Sequence, residues 1–359
     1  MSGRRIFIAH SQSWPPSNGP AIHVWAIAER LARRGFLIRT QAEAGPPDIE
    51  LVRPNRPSLV RAVRASDALY IRVDGHLARE KVTALARLAH PRPAVVWEVN
   101  ASLEELLAHG MDQKMVARHR RIRRYLARGA DAAVVVSPEL VGYVKEELGV
   151  EDVTVVENGA DWPPPPAEPS ALRTAGAFRV LWMGSGRYPW QGMDTVLVAA
   201  DKLAEHPDIV VAVLDADNQD PGPLPPNVIR LAPGTRSEVA THIAAADCVL
   251  CLYHATPWAP GGFTMSPIKL FDAWSFGRPV IATKLDSLER LVEDGQTGLL
   301  VSDDASDVAA AILRLRGDAS LRERLGRAGQ EAVAKRYNWD RAADEISAVL
   351  ERVIQRVRR

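Results

Sequence analysis

Short apolar runs alternate with helical patterns along the whole chain. The segment 22–34 has one apolar helical face, formed by Val24, Ile27, Ala28 and Leu31. An alternation of this kind favours parallel sheets that are covered by helices on both faces. The first half of the chain predicts strands at RIFIAH, FLIRTQ, ALYIRV, AVVWEV and DAAVVVS, and helices at 22–34, 82–89 and 140–148.

The same alternation occurs a second time, with strands predicted at FRVLWM, IVVAVL, NVIRL, CVLCLY, PVIAT and TGLLV. Between the two series lies NGADWPPPPAEPS, whose four consecutive prolines cannot continue a helix or a central strand. We therefore predict Rossmann-like domains over residues 1–160 and 161–337. An amphipathic helix over 338–359 would follow and could return to the first domain. Ligands of such sheets bind at the carboxyl ends of the strands, so we expect the chemistry in the loops there.

Composition agrees with this organisation. The 359 residues exceed what one hydrophobic core usually serves. Hydrophobic residues make up 47% and charged residues 25%, which are the proportions of a globular chain. A net charge of +1 gives no general attraction to nucleic acid or acidic lipid, so such partners would require a local basic patch.

The two cysteines, Cys248 and Cys251, lie in the apolar run AADCVLCLY. No second Cys or His pair has zinc spacing, so we interpret them as buried thiols. The N-terminal segment MSGRRIFIAH carries an apolar run that is too short for a signal peptide or a membrane span. We therefore expect a cytoplasmic protein.

The segment SPIKLFDAWSFGRPVIAT has nearly complete helix punctuation. Ser266 as N-cap, Pro267 at the first position and Gly277 beyond the end predict a helix over 266–276. The preceding GGFTM lets backbone N–H groups point at an anion, and the helix dipole adds to this attraction. Lys269 would meet a diphosphate, and Asp272 on the same face could accept hydrogen bonds from ribose hydroxyls. The alternative is an exposed Lys269–Asp272 pair worth about 0.2–0.5 kcal/mol.

Together with LERLVEDGQTGLLV, this segment resembles the donor-nucleotide signature of retaining GT-B glycosyltransferases, especially glycosyltransferase family 4. Four more segments resemble the family in the expected order: GPAIHVWAIAERLARRGF, VVENGADW, VLWMGSGRYPWQGMDTVLVAADKL and NWDRAADEI. The resemblance covers most of residues 4–350 and is weaker in the N-terminal half. It implies α/β domains of the GT-B fold, in which two doubly wound parallel sheets flank an interdomain cleft, and sugar transfer from a nucleoside-diphosphate sugar.

The chain departs from the family pattern at several donor positions. Thr264 and Asp272 stand where the family has two glutamates, and Ser185 and Gln191 replace its donor-loop Arg and Lys. Lys269 is then the main candidate for meeting the diphosphate charge, and the base would lie against residues 230–235. The donor-binding residues that the resemblance implies are Gly19, Ser185, Arg187, Gln191, Phe263, Thr264, Met265, Ser266, Lys269 and Asp272.

Acceptor and catalytic residues are expected in loops after the N-terminal strands. Asn100 stands where many relatives have a histidine. In retaining enzymes of this kind the leaving phosphate is implied to help deprotonate the acceptor, so no side-chain base is obligatory. If a base exists, the candidates are Asp74 and Glu98, each at the end of a strand; structural hydrogen bonding is the alternative for both. His23 is interpreted as a residue of the helix start.

The predicted helix QKMVARHRRIRRYLARG has no acidic residue. Such a face could dock on anionic lipid, which would suit a lipid-linked acceptor, or it could simply be solvated. Nucleic acid is not expected as a partner, because Tyr125 is the only aromatic side chain among the basic ones. The cationic residues of this predicted helix are Lys114, Arg118, Arg120, Arg121, Arg123, Arg124 and Arg128.

Two other motifs are open to different interpretations. The DAD at 215–217 imitates a metal-binding Asp-x-Asp, but a turn after a strand fits its position better. GSGRYPWQG does not fit a dinucleotide loop, because Pro189 replaces the third glycine. No metal site and no cofactor are expected.

We predict a metal-independent hexosyltransferase that uses UDP-sugar rather than GDP-sugar. The acceptor would be a glycan or a lipid-linked glycan in polysaccharide or glycoconjugate biosynthesis, at the inner face of the cytoplasmic membrane. The alternatives are an inactive nucleotide-sugar-binding partner of another transferase and a GT-B nucleotide-sugar epimerase.

Overall fold

The computed structural model describes residues 3–73, 77, 79–108, 110–161, 176–220, 222–255 and 262–359. Two compact units divide the chain. The first contains the residues up to Asn158, the short segment 262–266 and the C-terminal Trp339–Arg359. The second contains the residues from Gly159 to 255 and from Pro267 to Asn338. The predicted proline linker falls on residues 162–175, which lie outside the described residues.

Within the described residues the first unit holds a seven-stranded parallel sheet in the order β3-β2-β1-β4-β5-β6-β7. Its strands are β1 (Arg5–Ala9), β2 (Leu37–Thr40), β3 (Glu50–Leu51), β4 (Ala68–Val73), β5 (Ala94–Val99), β6 (Ala132–Val135) and β7 (Val153–Val155). Its helices are α1 (Gly19–Arg33), α2 (Arg56–Arg64), α3 (Val82–Arg87), α4 (Glu105–Ala108), α5 (Gln113–Ala127) and α6 (Leu140–Gly142), which continues as a π-helix over Tyr143–Leu148.

The described part of the second unit holds a six-stranded parallel sheet in the order β10-β9-β8-β11-β12-β13. Its strands are β8 (Phe178–Gly184), β9 (Ile209–Asp215), β10 (Val228–Leu231), β11 (Cys248–Cys251), β12 (Val280–Thr283) and β13 (Leu299–Val301). Its helices are α7 (Met193–Lys202), α8 (Arg236–Ala245), α9 (Ile268–Ser275), α10 (Asp286–Leu291), α11 (Ala305–Gly317) and α12 (Ala319–Lys335). Both strand orders are those of doubly wound Rossmann folds, so the predicted fold class is confirmed.

The C-terminal helix α13 (Trp339–Arg358) packs within the first unit, against α1, β5 and β6. Its predicted apolar stripe is buried, and Arg34 of α1 donates a hydrogen bond of 2.7 Å to Asp344. Arg356 donates to Asp152 beside β7 at 2.9 Å. The stripe consists of Ile346, Val349, Leu350 and Val353.

Some elements escape the sequence pattern. The helix α1 begins at Gly19 rather than residue 22, because the Asn18 side chain accepts a hydrogen bond from the backbone N–H of Ala21 at 2.9 Å. The edge strand β3 is exposed and only two residues long, and α2 buries only Ala62 and Val63. Elements with so few apolar contacts leave too weak a periodic signal to be predicted.

Cys248 and Cys251 are fully buried, as expected. Burial raises the pKa of the Cys251 thiol to about 12 and that of Cys248 further still. Both side chains therefore stay protonated and act as small apolar groups in the core of the second unit. Of the helices in the described residues, none has the length and apolar character needed to cross a membrane.

Candidate functional site

The helix predicted over 266–276 is present as α9, but it starts later than expected. Pro267 occupies the N-cap position, with φ −73° and ψ 114°, so the prediction of Ser266 as N-cap is wrong. The Ser266 hydroxyl instead accepts a hydrogen bond from the backbone N–H of Asn158 at 3.1 Å. The predicted end is confirmed, since Gly277 has φ +65° and donates to the Trp274 carbonyl at 2.9 Å.

Lys269 lies on the first turn of α9 in an aromatic environment. Its Nζ is 4.6 Å from the centre of the Tyr253 ring and 5.4 Å from that of Trp182. It also approaches Gln191 Oε1 at 3.5 Å, the upper limit of a hydrogen bond. Burial lowers the pKa of Lys269 to about 8, so the ammonium form still predominates at neutral pH. In the part of the chain that the structure describes, the Lys269 ammonium thus contacts the faces of two aromatic rings and one weak acceptor.

Asp272, one turn further along α9, pairs with Arg236 rather than with Lys269. The Thr235 side chain and Glu238 form a capping box that starts α8, and this places Arg236 on the first turn. Arg236 Nη2 lies 3.1 Å from Asp272 Oδ1. Burial raises the pKa of Asp272, although Arg236 opposes that rise. The alternative of an exposed Lys269–Asp272 pair is therefore wrong, and a ribose at Asp272 would share its carboxylate with Arg236.

The loop after β8 brings Ser185 and Gln191 together. Gln191 Oε1 accepts a hydrogen bond from the backbone N–H of Ser185 at 3.1 Å, in addition to its contact with Lys269. A Cβ on Gly184 would lie 2.7 Å from the ring of the fully buried Trp182, so a side chain here would force that ring to shift. One oxygen thus receives a loop amide and an ammonium group, which is the pair of donors that a phosphate oxygen would use.

The DAD motif organises this loop. Asp215 is buried at the end of β9, and its carboxylate accepts hydrogen bonds from the backbone N–H groups of Gly186 at 2.8 Å and Gln219 at 2.7 Å. The Ser185 hydroxyl donates to Asp217. Both carboxylates therefore hold backbone and side chains of the loop, which supports the turn interpretation. Arg187 is exposed beside them.

In the first unit, Glu98 is the centre of a buried charged cluster. It lies in β5, is only 1% exposed, and contacts His23 Nε2 with one carboxylate oxygen. Its other oxygen lies 3.6 Å from Arg72 Nη1. Burial opposes ionisation of Glu98, but His23, Arg72 and Asn100 outweigh it and lower its pKa. Glu98 is thus an ionised carboxylate that is engaged on both sides, which favours its structural interpretation over a role as base.

His23 is part of this cluster, which its interpretation as a residue of the helix start missed. Its Nδ1 lies 2.5 Å from Asn158 Oδ1, and its ring packs edge-on against Trp339. Asn158 in turn donates from Nδ2 to the Ser266 carbonyl at 2.6 Å. A signal was available, because an apolar helical face that contains a histidine places that histidine in the core, where its nitrogens require partners.

His10 was also missed, although it directly follows β1 at the carboxyl end of the sheet. It is 2% exposed, and its Nδ1 accepts a hydrogen bond from the backbone N–H of Gln12 at 3.0 Å. Burial and the charges of Arg79 and Arg72 lower its pKa to about 4, so the ring is neutral. A polar residue that follows a buried parallel strand is the signal that could have found it.

The remaining predicted residues are placed as follows. Gly19 is the first residue of α1, and Asn100 follows β5 beside Glu98. Asp74 lies outside the described residues. Phe263 and Thr264 are buried in the first unit, where the Thr264 carbonyl accepts a hydrogen bond from the Ser137 hydroxyl at 2.6 Å; Met265 between Thr264 and Ser266 is partly buried.

The second unit also contains a histidine clamp, formed by His254 with Asp194 and Asp303. His254 Nε2 and Nδ1 each lie 2.7 Å from one carboxylate. Partial burial would lower the pKa of His254, but the two carboxylates outweigh it and raise the pKa above 6.5. The clamp links the start of α7 to the loops after β11 and β13.

The clamp predicts a pH-dependent stability. A histidine whose folded pKa is raised contributes stability that is fully present below its unfolded pKa of 6.5 and is lost as pH rises through the folded value. We therefore expect His254→Gln to lower the melting temperature more at pH 6 than at pH 9. His206→Gln, a change of the same size in the same unit, serves as control. If His254→Gln lowered the melting temperature equally at both pH values, the predicted contribution of the clamp to stability would be contradicted.

Residues 177–318 match the family model described as Glycosyl transferases group 1. Over 224 residues the chain is 33% identical to a phosphatidyl-myo-inositol mannosyltransferase of Mycobacterium tuberculosis, which covers 58% of this chain and 56% of that protein. The chain thus spans about half the length of the mycobacterial relatives it matches. It is 23% identical over 335 residues to LpsE, a lipopolysaccharide core biosynthesis glycosyltransferase of Rhizobium meliloti, covering 88% of this chain and 93% of LpsE.

Solved structures extend the likeness over the whole chain. Sucrose-phosphate synthase from Thermosynechococcus elongatus superposes with a TM-score of 0.75 and 17% identity, covering 98% of this chain and 99% of that one. HepE of Anabaena, solved in complex with UDP-glucose, gives a TM-score of 0.70 at 19% identity, covering 97% and 99%. Together with the two parallel sheets, these neighbours confirm the expected GT-B fold.

Proposed function

We propose that this chain, a relative of the group 1 glycosyltransferases with the GT-B fold, transfers a sugar from a nucleoside-diphosphate sugar in glycoconjugate biosynthesis. The observation that carries the proposal is the convergence of Lys269 Nζ and the Ser185 N–H on one oxygen of Gln191, at 3.5 and 3.1 Å. A diphosphate oxygen in that position would receive the same two donors. It would also lie by the glycine-bearing loop of β8, where open α/β sheets bind nucleotides.

The donor and acceptor classes follow from the relatives. Uridine is the favoured nucleoside, because the Anabaena neighbour was solved with UDP-glucose. A glycan or lipid-linked acceptor is favoured, because the named curated relatives act on a phosphatidylinositol and in lipopolysaccharide core synthesis. The resemblance to family 4 favours retention of configuration at the transferred sugar.

In this proposal the chain contributes charge and position rather than a side-chain base. Glu98 is held between His23 and Arg72, so it is poorly placed to take a proton from an acceptor hydroxyl. Lys269 and the first-turn amides of α9 would stabilise negative charge that grows on the diphosphate as the sugar leaves. The departing phosphate oxygen would then accept the proton of the acceptor hydroxyl.

A thermal-shift panel of UDP-, GDP-, ADP- and TDP-sugars tests the donor class. A ligand that binds only the folded state at a hundredfold over its Kd adds about 2.7 kcal/mol, so UDP-sugars should raise the melting temperature clearly.

Turnover should continue in EDTA, because amides and Lys269 meet the diphosphate charge. Loss of turnover that manganese restores would contradict a metal-independent transfer. Binding without turnover would favour the inactive partner, and conversion of the donor without an acceptor would favour the epimerase.

A membrane contact through α5 is also proposed. Three of its arginines pair with acids: Arg120 with Glu104, Arg123 with Glu80, and Arg124 with Glu147. The cations that stay exposed lie beside the exposed apolar side chains Met115 and Tyr125, a combination suited to an anionic lipid surface at the cytoplasmic face of a membrane. These cations are Lys114, Arg118, Arg121 and Arg128, together with Arg124, which stays exposed in its pair with Glu147.

Sedimentation with vesicles of phosphatidylglycerol and phosphatidylcholine tests this contact. Each cation near an anionic surface contributes about 1 kcal/mol, so the double variant Arg118→Ala/Arg121→Ala should bind about tenfold or more weakly. Arg324→Ala/Arg327→Ala removes two exposed arginines from α12 and should bind like the wild-type protein. Equal vesicle binding by both double variants would show that α5 is simply a solvated basic face.

A further inference from the structure

A chain of buried polar contacts in the first unit links His23 through Asn158 to Ser266. Asn158 Nδ2 lies 2.6 Å from the Ser266 carbonyl, which can only accept, so the amide nitrogen must face Ser266. The amide oxygen Oδ1 therefore faces His23 Nδ1 at 2.5 Å, and it can only accept a hydrogen bond from that nitrogen. On the other side, His23 Nε2 faces the carboxylate of Glu98, which is also an acceptor. Both ring nitrogens of His23 therefore face acceptor oxygens, and Nδ1 donates to Asn158.

The same contacts reach the segment 262–266, where the sequence places part of the donor site. The Ser266 carbonyl and hydroxyl both bond to Asn158, and the Thr264 carbonyl bonds to the Ser137 hydroxyl. Phe263 is 1% exposed, so its side chain holds the start of the segment in the core. Ser266 is followed directly along the chain by Pro267, the cap residue of α9.

We propose that His23 is a positioning residue for the donor: its ring, held by Glu98, orients Asn158, and Asn158 fixes the backbone of Ser266. This inference rests on the proposed function, since it assumes that the segment before α9 meets the nucleotide sugar. Donor binding benefits because a backbone that is already ordered loses less conformational freedom when the ligand arrives. His23 itself need not touch the donor.

Asn158→Asp is the sharpest test. The carboxylate can still accept from His23, but it presents an oxygen to the Ser266 carbonyl and cannot donate to it. We expect the KM for the donor to rise by about tenfold, the effect of one lost hydrogen bond in a well-ordered site, with kcat changed much less. Asn227→Asp is the matched control, since Asn227 Nδ2 also donates to a carbonyl, that of Ala200, at 2.9 Å, away from these contacts. Asn158→Asp protein that is folded and has an unchanged donor KM would overturn the proposal.

A second variant changes His23 itself. Replacing His23 alone would remove one of the two partners described for the buried Glu98 carboxylate, so His23→Gln is combined with Glu98→Gln. We expect the double variant to raise the donor KM and to speed amide hydrogen exchange in residues 262–266. If amide exchange in residues 262–266 stayed as slow as in the wild-type protein and the donor KM were unchanged, the contact between His23 and Glu98 would stabilise the core alone.

Two readouts stay informative if the proposed function fails. Nitrogen NMR of histidine-labelled protein should show that His23 Nδ1 carries a hydrogen and donates a hydrogen bond, and a Nδ1 without a hydrogen would contradict the contact with Asn158. Exchange of residues 262–266 in Asn158→Asp tests the anchoring without any donor. If the wild-type protein turned over no nucleotide sugar while exchange accelerated in the variant, the transferase proposal would fall and the anchoring by Asn158 would stand.

Discussion

Replacing Lys269 by alanine is expected to weaken binding of a nucleoside diphosphate by about one to two powers of ten, in line with about 1.5–3 kcal/mol for a hydrogen bond to a charged group. Among the described residues, the ammonium lies against the Tyr253 and Trp182 rings and has one weak acceptor in Gln191. A diphosphate would therefore be its strongest partner. Calorimetry with UDP measures the effect.

Two companion variants make this result specific. Lys202→Ala removes an exposed lysine at the end of α7 and should bind UDP like the wild-type protein. Asp272→Ala should weaken binding of UDP but hardly affect pyrophosphate, because Asp272 is assigned to the ribose. Unchanged UDP binding in Lys269→Ala would contradict the role of Lys269 in the proposed site. Equal losses of affinity for UDP and for pyrophosphate in Asp272→Ala would contradict the assignment of Asp272 to the ribose.

Replacing Arg123 by alanine is expected to lower the free energy of unfolding by about 3–5 kcal/mol, because it breaks a buried ion pair. Arg123 Nη2 lies 2.8 Å from Glu80 Oε1, and the two side chains are 1% and 0% exposed. Arg123 also donates to the Tyr143 hydroxyl at 3.4 Å. Urea denaturation measures the loss.

The control is Arg121→Ala, which removes the same charge from the exposed face of α5. A change there should stay within about 0.5 kcal/mol, as is usual for surface substitutions. If Arg123→Ala were no less stable than Arg121→Ala, the buried pair would not hold α5 to the loop before α3. The double change Arg123→Met/Glu80→Leu removes both charges and should recover much of the lost stability.

Much of the fold could be predicted from the sequence, because central parallel strands are buried on both faces and therefore appear as continuous apolar runs. In β4 and β5 nearly every side chain is buried, so ALYIRV and AVVWEV carry a strong apolar signal. The edge strand β3 has only Glu50 and Leu51, both exposed, and no pattern distinguishes them from a loop. The prediction therefore succeeded where burial is high and failed where the backbone alone defines the element.

The candidate site shows the same limit in its side chains. Helix punctuation and resemblance pointed to Lys269 and Asp272, but local spacing suggested that these two would pair. Their partners come from distant parts of the chain: Arg236 from α8 for Asp272, and Tyr253 after β11 for Lys269. The roles of His23 and Ser266 depend equally on Asn158, far from both in sequence. Contacts of that kind arise only when the sheets assemble, so one sequence does not reveal them.

The position of α13 has a consequence for how the protein is made. This helix buries Ile346, Val349 and Leu350 within the first unit and brings Trp339 against His23. During synthesis the N-terminal sheet leaves the ribosome early, yet the helix that covers β5 and β6 follows the strands and helices of the second unit along the chain. The first unit can therefore complete its core only after those elements of the second unit have been synthesised.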